Sequence, residues 1–346
     1  MPSGENFMSL RGFGLRLALV LVSVGIAAGV GEIVVRALGE TAWAYGRIGE
    51  PDDPLHEPDD SLGWRSKAGV YEWTRSKESI RMTFWPDGLR STAPEQIEQS
   101  DRIVVVGGSV TQGWAVSDES TWPWRLQVAF PEFEFLNFGT AGYGTYQSLL
   151  ALERSLSTGQ PNPRVVIYGL IHKHKPRNVA GPGWLRGMTR ASELEVVAIP
   201  YATLDSEGHL ERHPPMVHPR WPLKRFSALV SFLESRYVDW SGRHRLAQAS
   251  EVTRSLLVEM QRVSNAHGAQ LLVAILIEKP NQAQGTYEKF LRKHGIAVAQ
   301  CVPPGINSKK LKVPVYGHPN AMANQFWATC IGDRLAKMTA RGRDAH

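Results

Sequence analysis

From Arg102 onward the chain alternates short apolar runs with segments of helical periodicity. The apolar runs have the length and composition of strands that are buried on both faces of a sheet. They are IVVVG, FEFLNFG, RVVIYGLI, QLLVAILI and IAVAQCV. Strands that alternate with helices are typical of a parallel sheet covered by helices on both faces. We therefore predict an α/β fold with a five-stranded parallel sheet, in which RVVIYGLI is a central strand.

The segments between these runs predict the covering helices and one insertion. STWPWRLQVAF indicates a short helix capped by Ser120 or Thr121. The other helical patterns are YQSLLALERSL, an apolar stripe from Val252 to Val263 that ends near Gly268, YEKFLRKHG, and a closing helix after Pro319. An insertion at about 177–222 contains a predicted hairpin that turns at Asp205–Gly208. Loops at the carboxyl ends of parallel strands carry the chemistry in this architecture, so we expect the functional side chains there.

The N-terminal third has a different character. The segment from Leu17 to Gly31 has no charge, and apolar residues resume after Glu32, which gives a total length sufficient to span a membrane. Arg11 and Arg16 precede it, so we expect the N-terminus in the cytoplasm and the rest of the chain outside. We predict a membrane anchor or signal segment at 1–37, a β-rich lead-in at 41–100 and a catalytic-type domain at 101–340.

A cleaved secretory signal is the alternative to the membrane anchor. The small-x-small triplet from Gly25 to Ala27 could serve as a cleavage site, and the mature protein would then be secreted. We favour the uncleaved anchor because the apolar segment exceeds the usual length of a signal core.

Composition narrows the class of partner. The net charge of +6 over 346 residues is modest, and no basic stretch is interleaved with aromatic residues. We therefore expect no nucleic-acid partner. The two cysteines, Cys301 and Cys330, lack metal-binding spacing, and the sequence does not favour a disulfide between them.

Ser109 stands where the first strand of the sheet ends, in the stretch RIVVVGGSVTQGW. A phosphate-binding loop would need Lys after Gly113, where Trp114 stands, and no G-x-G-x-x-G fingerprint is present. A G-x-S-x-G nucleophile turn would need glycine in place of Thr111. Two interpretations stay open: a tight turn with a small residue, or a serine displayed beside a backbone N–H that can face a developing oxyanion.

Three motifs in order resemble those of the SGNH hydrolases, also called the GDSL family. VVVGGSVTQGW resembles the first block and places Ser109 as the nucleophile. LNFGTAGYGTYQ resembles the second block, with Asn137 and an oxyanion N–H from Gly142. GHPNAMANQFWA resembles the last block and makes His318 the general base. The resemblance covers roughly 102–338 and implies a flavodoxin-like three-layer fold and ester hydrolysis without a cofactor.

The chain departs from the family pattern in its first and third blocks. Gly108 replaces the aspartate of the first block, and the family's oxyanion Asn is replaced by the loop HKHKPRN, with Lys173 at the aligned position. His172, His174 or Asn178 could donate the third oxyanion hydrogen bond, and we prefer His174. A metal site built on the two histidines would need further ligands that the sequence does not supply.

The acid of a catalytic triad is also missing. The family places Asp two or three residues before its histidine, but Tyr316 and Val315 occupy those positions, and no Asp or Glu occurs within 289–332. A backbone carbonyl could orient His318 instead, which predicts a Ser-His dyad.

The resemblance to membrane-tethered members implies an extracytoplasmic esterase that acts on acyl or acetyl esters of a small molecule or an envelope glycan. An O-acyltransferase on the same fold would share the serine ester intermediate. A catalytically inactive protein that binds a glycan or a partner is the third hypothesis, because the Asp residues of two blocks and the Asn of the third are absent. A structural envelope protein that reuses the fold without a site is the fourth.

Overall fold

The computed structural model describes residues 5–46, 51–75, 78–159, 162–192, 194, 196–278 and 286–341. The chain forms two compact units. One comprises Met1–Gly46 and His218–Ser241, and the other comprises Arg47–Val217 and Gly242–His346.

The helices of the described residues are α1 (Glu5–Ala37), α2 (Ser109–Gln112), α3 (Trp122–Ala129), α4 (Thr145–Leu156), α5 (His174–Asn178), α6 (Pro182–Ala191), α7 (Ala228–Ala266), α8 (Thr286–Lys293) and α9 (Ala321–Arg341). The strands are β1 (His56–Asp59), β2 (Gly63–Ser66), β3 (Gly69–Arg75), β4 (Glu78–Phe84), β5 (Arg102–Gly107), β6 (Glu134–Asn137), β7 (Val165–Ile171), β8 (Ala198–Leu204), β9 (Leu210–Val217), β10 (Gln270–Ile277) and β11 (Ala297–Gln300).

A five-stranded parallel sheet lies at the centre of the larger unit, in the order β11-β10-β7-β5-β6. The predicted α/β fold class is therefore confirmed. β7 is the central strand, and all seven of its residues are buried. The chain runs from β5 to one edge of the sheet at β6 and then returns to β7 on the other side of β5. This reversal of strand order creates a crevice at the carboxyl ends of β5 and β7, where ligands bind in open α/β sheets.

Helices cover both faces of this sheet, as the apolar periodicity predicts. On one face, α4, α8 and the part of α7 from Ala249 to Val263 pack on alternate residues of the strands. On the other face, α3 and α9 bury Trp122 and Trp327. Thr121 caps α3 by accepting a hydrogen bond from the N–H of Trp124, which settles the choice between the two predicted caps.

The lead-in and the insertion are both built from hairpins. β1 pairs with β2, and β3 pairs with β4, in antiparallel fashion within the lead-in. β8 and β9 form the hairpin predicted in the insertion. Asp205 stabilises its turn by accepting hydrogen bonds from the backbone N–H groups of Glu207 and His209.

The smaller unit contains the apolar N-terminal helix. The segment Gly12–Ala37 of α1 has a mean hydropathy of 2.3 and is long enough to cross a membrane, a property that a signal sequence shares. The Glu32 carboxylate accepts hydrogen bonds from the Ser227 hydroxyl and from the N–H groups of Ala228 and Leu229. Since the first N–H groups of a helix lack partners within that helix, Glu32 caps the start of α7.

A disulfide joins Cys301 and Cys330, which corrects the expectation from the sequence. Cys301 directly follows β11, and Cys330 lies on α9, which packs against the sheet in the same apolar cluster. This packing brings the two Cα atoms to 5.7 Å, a normal separation for a disulfide. The two cysteines are 29 positions apart, and the intervening sequence carries no local sign of this proximity.

Candidate active site

Ser109 lies where β5 passes directly into α2. It is the first residue of α2, so its backbone N–H has no acceptor within the helix. The preceding Gly108 leaves no room for a side chain. A Cβ atom there would lie 2.9 Å from both the His174 Nε2 atom and the Tyr143 carbonyl oxygen. The aspartate of the family motif therefore cannot be accommodated at this position without a rearrangement of these neighbours.

His318 reaches Ser109 from a loop 209 residues further along the chain, just before α9. Its Nε2 atom lies 3.2 Å from the Ser109 Oγ atom, within hydrogen-bond reach. On the other side of the ring, Nδ1 lies 3.4 Å from the carbonyl oxygen of Tyr316. Among the described residues no carboxylate contacts this imidazole. The backbone carbonyl of Tyr316 thus contacts Nδ1, the atom that the acid contacts in a catalytic triad.

The environment keeps the His318 imidazole neutral at neutral pH. Burial lowers its pKa from the usual 6.5 to about 4, and the positive charges of Lys173, Arg177 and Lys312 act in the same direction. The hydrogen bond to the Tyr316 carbonyl opposes them without reversing the shift. A neutral imidazole with Nδ1 protonated can accept the Ser109 proton at Nε2.

Gly142 lies in the loop after β6, and the lead-in holds this loop in place. Its φ of 88° is a left-handed conformation that favours glycine. A Cβ atom on Gly142 would lie 2.7 Å from the ring of Trp64. The Trp64 indole N–H donates a hydrogen bond of 2.8 Å to the carbonyl of Ala141, which fixes the loop.

Asn137 connects the Gly142 loop to the helix that begins at Ser109. Its side-chain oxygen accepts a hydrogen bond from the Gly139 N–H, and its amide nitrogen donates to the Thr111 carbonyl in α2. In the described part of the chain, neither the N–H of Ser109 nor that of Gly142 has a hydrogen-bond acceptor. Asn137 therefore acts as a positioning residue between two available donors.

The three candidates for a third oxyanion donor have different surroundings in the structure. His172 lines the cavity in front of Ser109. His174 is only 1% exposed and lies behind Gly108, where its Nδ1 atom is 2.6 Å from the Tyr168 hydroxyl. The Asn178 amide donates to two threonine hydroxyls, and its oxygen accepts from the Tyr146 N–H. The structure therefore brings His172 to the cavity, and it brings neither His174 nor Asn178 there.

The cavity in front of Ser109 and His318 has a volume of about 540 Å³. Several of its wall residues were not predicted from the sequence because they come from the lead-in, the insertion and the loop before His318. They include Leu55, His56, Trp64, Arg177, Trp184, Met188 and Lys312. A local signal existed for Arg177, which belongs to the basic loop after β7. No local pattern marked the remaining wall residues as part of a site.

The described residues contain no group of three or more His, Cys, Asp or Glu side chains arranged to hold a metal ion.

No family model and no curated protein matches this chain. The chain is similar in structure to several solved proteins that include SGNH-type hydrolases and esterases. With TesA it shares 15% identity at a TM-score of 0.41, over 69% of this chain and 99% of that one. With AlinE4, an SGNH-hydrolase family esterase, it shares 16% identity at a TM-score of 0.35, over 70% and 97%. With a catalytic mutant of Axe2, an acetylxylan esterase from Geobacillus stearothermophilus, it shares 8% identity at a TM-score of 0.35, over 68% and 94%. The activity must therefore be inferred from the geometry of the site.

Proposed function

We propose that this chain is a serine ester hydrolase that uses a Ser109–His318 dyad. The observation that carries the proposal is the 3.2 Å approach of His318 Nε2 to Ser109 Oγ, beside two backbone N–H groups with no acceptor among the described residues. A nucleophile within reach of a base, and a base oriented by a further group, is the usual arrangement for covalent catalysis. Here the Tyr316 carbonyl is that further group.

The first half of the reaction forms a serine ester. His318 takes the hydroxyl proton of Ser109 while the Oγ atom attacks the carbonyl carbon of the substrate ester. The N–H groups of Ser109 and Gly142 donate hydrogen bonds to the oxyanion that develops, and His172 is the side chain that we propose as a third donor. His318 then protonates the departing alcohol.

The second half returns the enzyme to its starting state. Water, activated by His318, attacks the serine ester and releases the acid. If a sugar hydroxyl takes the place of water, the same intermediate yields an O-acyltransferase. The two activities differ only in the acceptor, so assays with and without a glycan acceptor separate them.

We further propose that the site acts outside the cytoplasm, anchored by α1, on acyl or acetyl esters of an envelope glycan. The disulfide between Cys301 and Cys330 supports an oxidising compartment. Three tryptophans, Trp64, Trp114 and Trp184, line the cavity and supply apolar faces for a sugar or an acyl chain.

Among the described residues no carboxylate lies beside His318, which favours one alternative, a protein that binds an acylated ligand without turning it over. A serine-reactive fluorophosphonate separates the two functions. An esterase should be labelled at Ser109 and lose its activity on labelling, whereas an inactive binding protein should not react.

Mutations of the dyad test the proposal directly. We expect Ser109→Ala and His318→Ala each to abolish nearly all turnover of an activated ester such as 4-nitrophenyl butyrate. The turnover of the double variant should be scarcely lower than that of either single variant. When two residues act as a unit, removal of the first already abolishes the contribution of the second. Full activity in Ser109→Ala would exclude the hydrolase. Multiplicative losses would show that the two residues act independently.

A further inference from the structure

The cavity in front of Ser109 has an unbalanced charge. Three cationic side chains line it, from Lys173, Arg177 and Lys312. Among the described residues that form its walls there is no Asp or Glu. The whole chain, by contrast, has 39 basic and 33 acidic residues, so the excess of positive charge is more pronounced at the cavity.

None of these three cations is paired with a carboxylate in the described part of the chain. Elsewhere in the protein buried cations are paired: Arg90 contacts Asp118, and Lys224 contacts Glu234 at 2.8 Å. Of the buried cations in the described part of the chain, Arg177 is therefore the one without a carboxylate partner.

Arg177 is the most deeply placed of the three, at 7% exposure. One of its terminal nitrogens donates to the Tyr143 carbonyl at 2.9 Å, and its guanidinium lies 4.3 Å from the centre of the Trp184 ring. Its Nε–H is buried with no hydrogen-bond partner among the described residues. Burial lowers its pKa to about 10, so it stays charged at neutral pH. A buried charge without a counter-charge is costly in a protein interior.

Lys173 and Lys312 lie close enough to influence each other and the catalytic base. Burial lowers the pKa of Lys312, and the charge of Lys173 lowers it further. All three cations also act on the pKa of His318, which places them within electrostatic range of the reacting atoms. A bound anion in this region would relieve the mutual repulsion of the two lysines.

We infer that the ester hydrolysed at Ser109 carries an anionic group, a carboxylate or a phosphate, which Lys173, Lys312 and Arg177 hold inside the cavity. This inference rests on the proposed function and adds the charge class of its substrate. Arg177 offers a planar donor set, and the two lysines contribute point charges, a combination that suits the oxygens of either group. The apolar walls from Trp64 and Met188 accommodate the uncharged part of the ester.

Chromogenic esters that differ in the position of a charge test the inference. The full chain, in a neutral detergent, is assayed with 4-nitrophenyl butyrate, with mono-4-nitrophenyl succinate and with 3-carboxy-4-nitrophenyl butyrate. These carry no charge, an anion on the acyl side and an anion on the alcohol side. We expect kcat/KM for one of the anionic esters to exceed that of the neutral ester by roughly tenfold, and the preference to shrink as NaCl is raised.

Substitution of the lysines should reduce this preference. In Lys173→Met and Lys312→Met the ratio of anionic to neutral kcat/KM should fall by roughly five- to tenfold, the scale of a charge-assisted contact partly screened by solvent. Lys309→Met is the matched control, since Lys309 is exposed and does not line the cavity. Its ratio should equal that of the wild type. Circular dichroism and thermal melts show whether each variant is folded.

Competitive inhibition distinguishes the two kinds of anion. Inorganic phosphate, propionate and neutral propionamide are compared as inhibitors of the hydrolysis of 4-nitrophenyl butyrate. Stronger inhibition by phosphate indicates a phosphate-bearing substrate, and stronger inhibition by propionate indicates a carboxylate. If hydrolysis depends on Ser109 but shows neither a preference for anionic esters nor inhibition by either anion, the inference is wrong. If hydrolysis does not depend on Ser109, the proposed function itself fails.

Discussion

At the scale of single residues, the site is defined by what surrounds Ser109 and His318. Gly108 is small because His174, Tyr143 and Arg177 occupy the space that a side chain would need. The residue types in HKHKPRN suggested an oxyanion donor, and the structure divides that loop between two roles. His172 and Lys173 face the cavity, and His174 lies behind Gly108.

The pH dependence of hydrolysis should report the state of His318. Only the neutral imidazole can act as a base, so kcat/KM for a neutral ester should stay high down to about pH 5. It should be lost as the pH falls through about 4, the pKa that burial and the three cations impose. Lys312→Met removes one of the charges that lower this pKa, so the loss should begin at a higher pH.

The profile is measured on the full chain between pH 3.5 and 8, with circular dichroism at each pH to exclude unfolding. Lys309→Met, an exposed lysine outside the cavity, should reproduce the wild-type profile. A wild-type midpoint near 6.5 would contradict the geometry, because an exposed histidine without cationic neighbours would titrate there.

At the scale of helices and strands, the loop after β6 links α2, which begins at Ser109, to the lead-in. Asn137 fastens the loop to α2 on one side, and Trp64 fastens it through the carbonyl of Ala141 on the other. The position of the Gly142 N–H therefore depends on a tryptophan that lies 78 positions earlier in the chain.

Gly142→Ala should damage the oxyanion site. The new methyl group would meet the Trp64 ring at 2.7 Å, and alanine disfavours a φ of 88°. We expect kcat to fall by roughly 10²–10³, the usual loss for one oxyanion donor. Steady-state kinetics on 4-nitrophenyl butyrate measure it. Gly183→Ala in α6 is the control, because a Cβ atom there meets nothing within 4 Å. Equal kcat values in the two variants would remove Gly142 from the mechanism.

The elements were predictable because their signals are local. The apolar runs and helical stripes identify the five parallel strands and their covering helices, and the Asp205–Gly208 turn identifies the hairpin. The contact of Trp64 with the Gly142 loop joins distant parts of the chain, and the Cys301–Cys330 pair joins β11 to α9. Neither contact leaves a periodic pattern in the sequence, so both become visible only in the folded structure. The same is true of Lys312, whose place in the cavity depends on the loop that carries His318.

At the scale of the whole molecule, the smaller unit contains a helix with the length and apolar character of a membrane span or a signal sequence. α1 exposes its apolar side chains over most of its length, and only 6% of its most apolar part is buried. Phe226 and Trp240, in the same unit, are 79% and 61% exposed. Aromatic side chains are enriched at the boundary between membrane and water, so these two are candidates for that position.

The structure of α1 leads us to expect that the anchor is retained. The helix runs without a break through Gly25–Ala27, the triplet at which a signal peptidase could cut. Its apolar segment of 26 residues exceeds the core of a signal peptide and is long enough to span a bilayer. Its last turns are also integrated into the smaller unit, because Glu32 caps α7 and Gly31 lies against Leu229.

The purified protein should therefore have the mass of a chain that retains residues 12–37, and it should stay in the membrane fraction after alkaline carbonate extraction. An alkaline phosphatase fused after residue 346 should be active, because Arg11 and Arg16, at the N-terminal end of the helix, favour a cytoplasmic N-terminus. A mature chain that begins near Ala28, released by carbonate, would show that the segment is a cleaved signal. An inactive phosphatase, together with an active cytoplasmic reporter at the same junction, would place the catalytic site on the other side of the membrane.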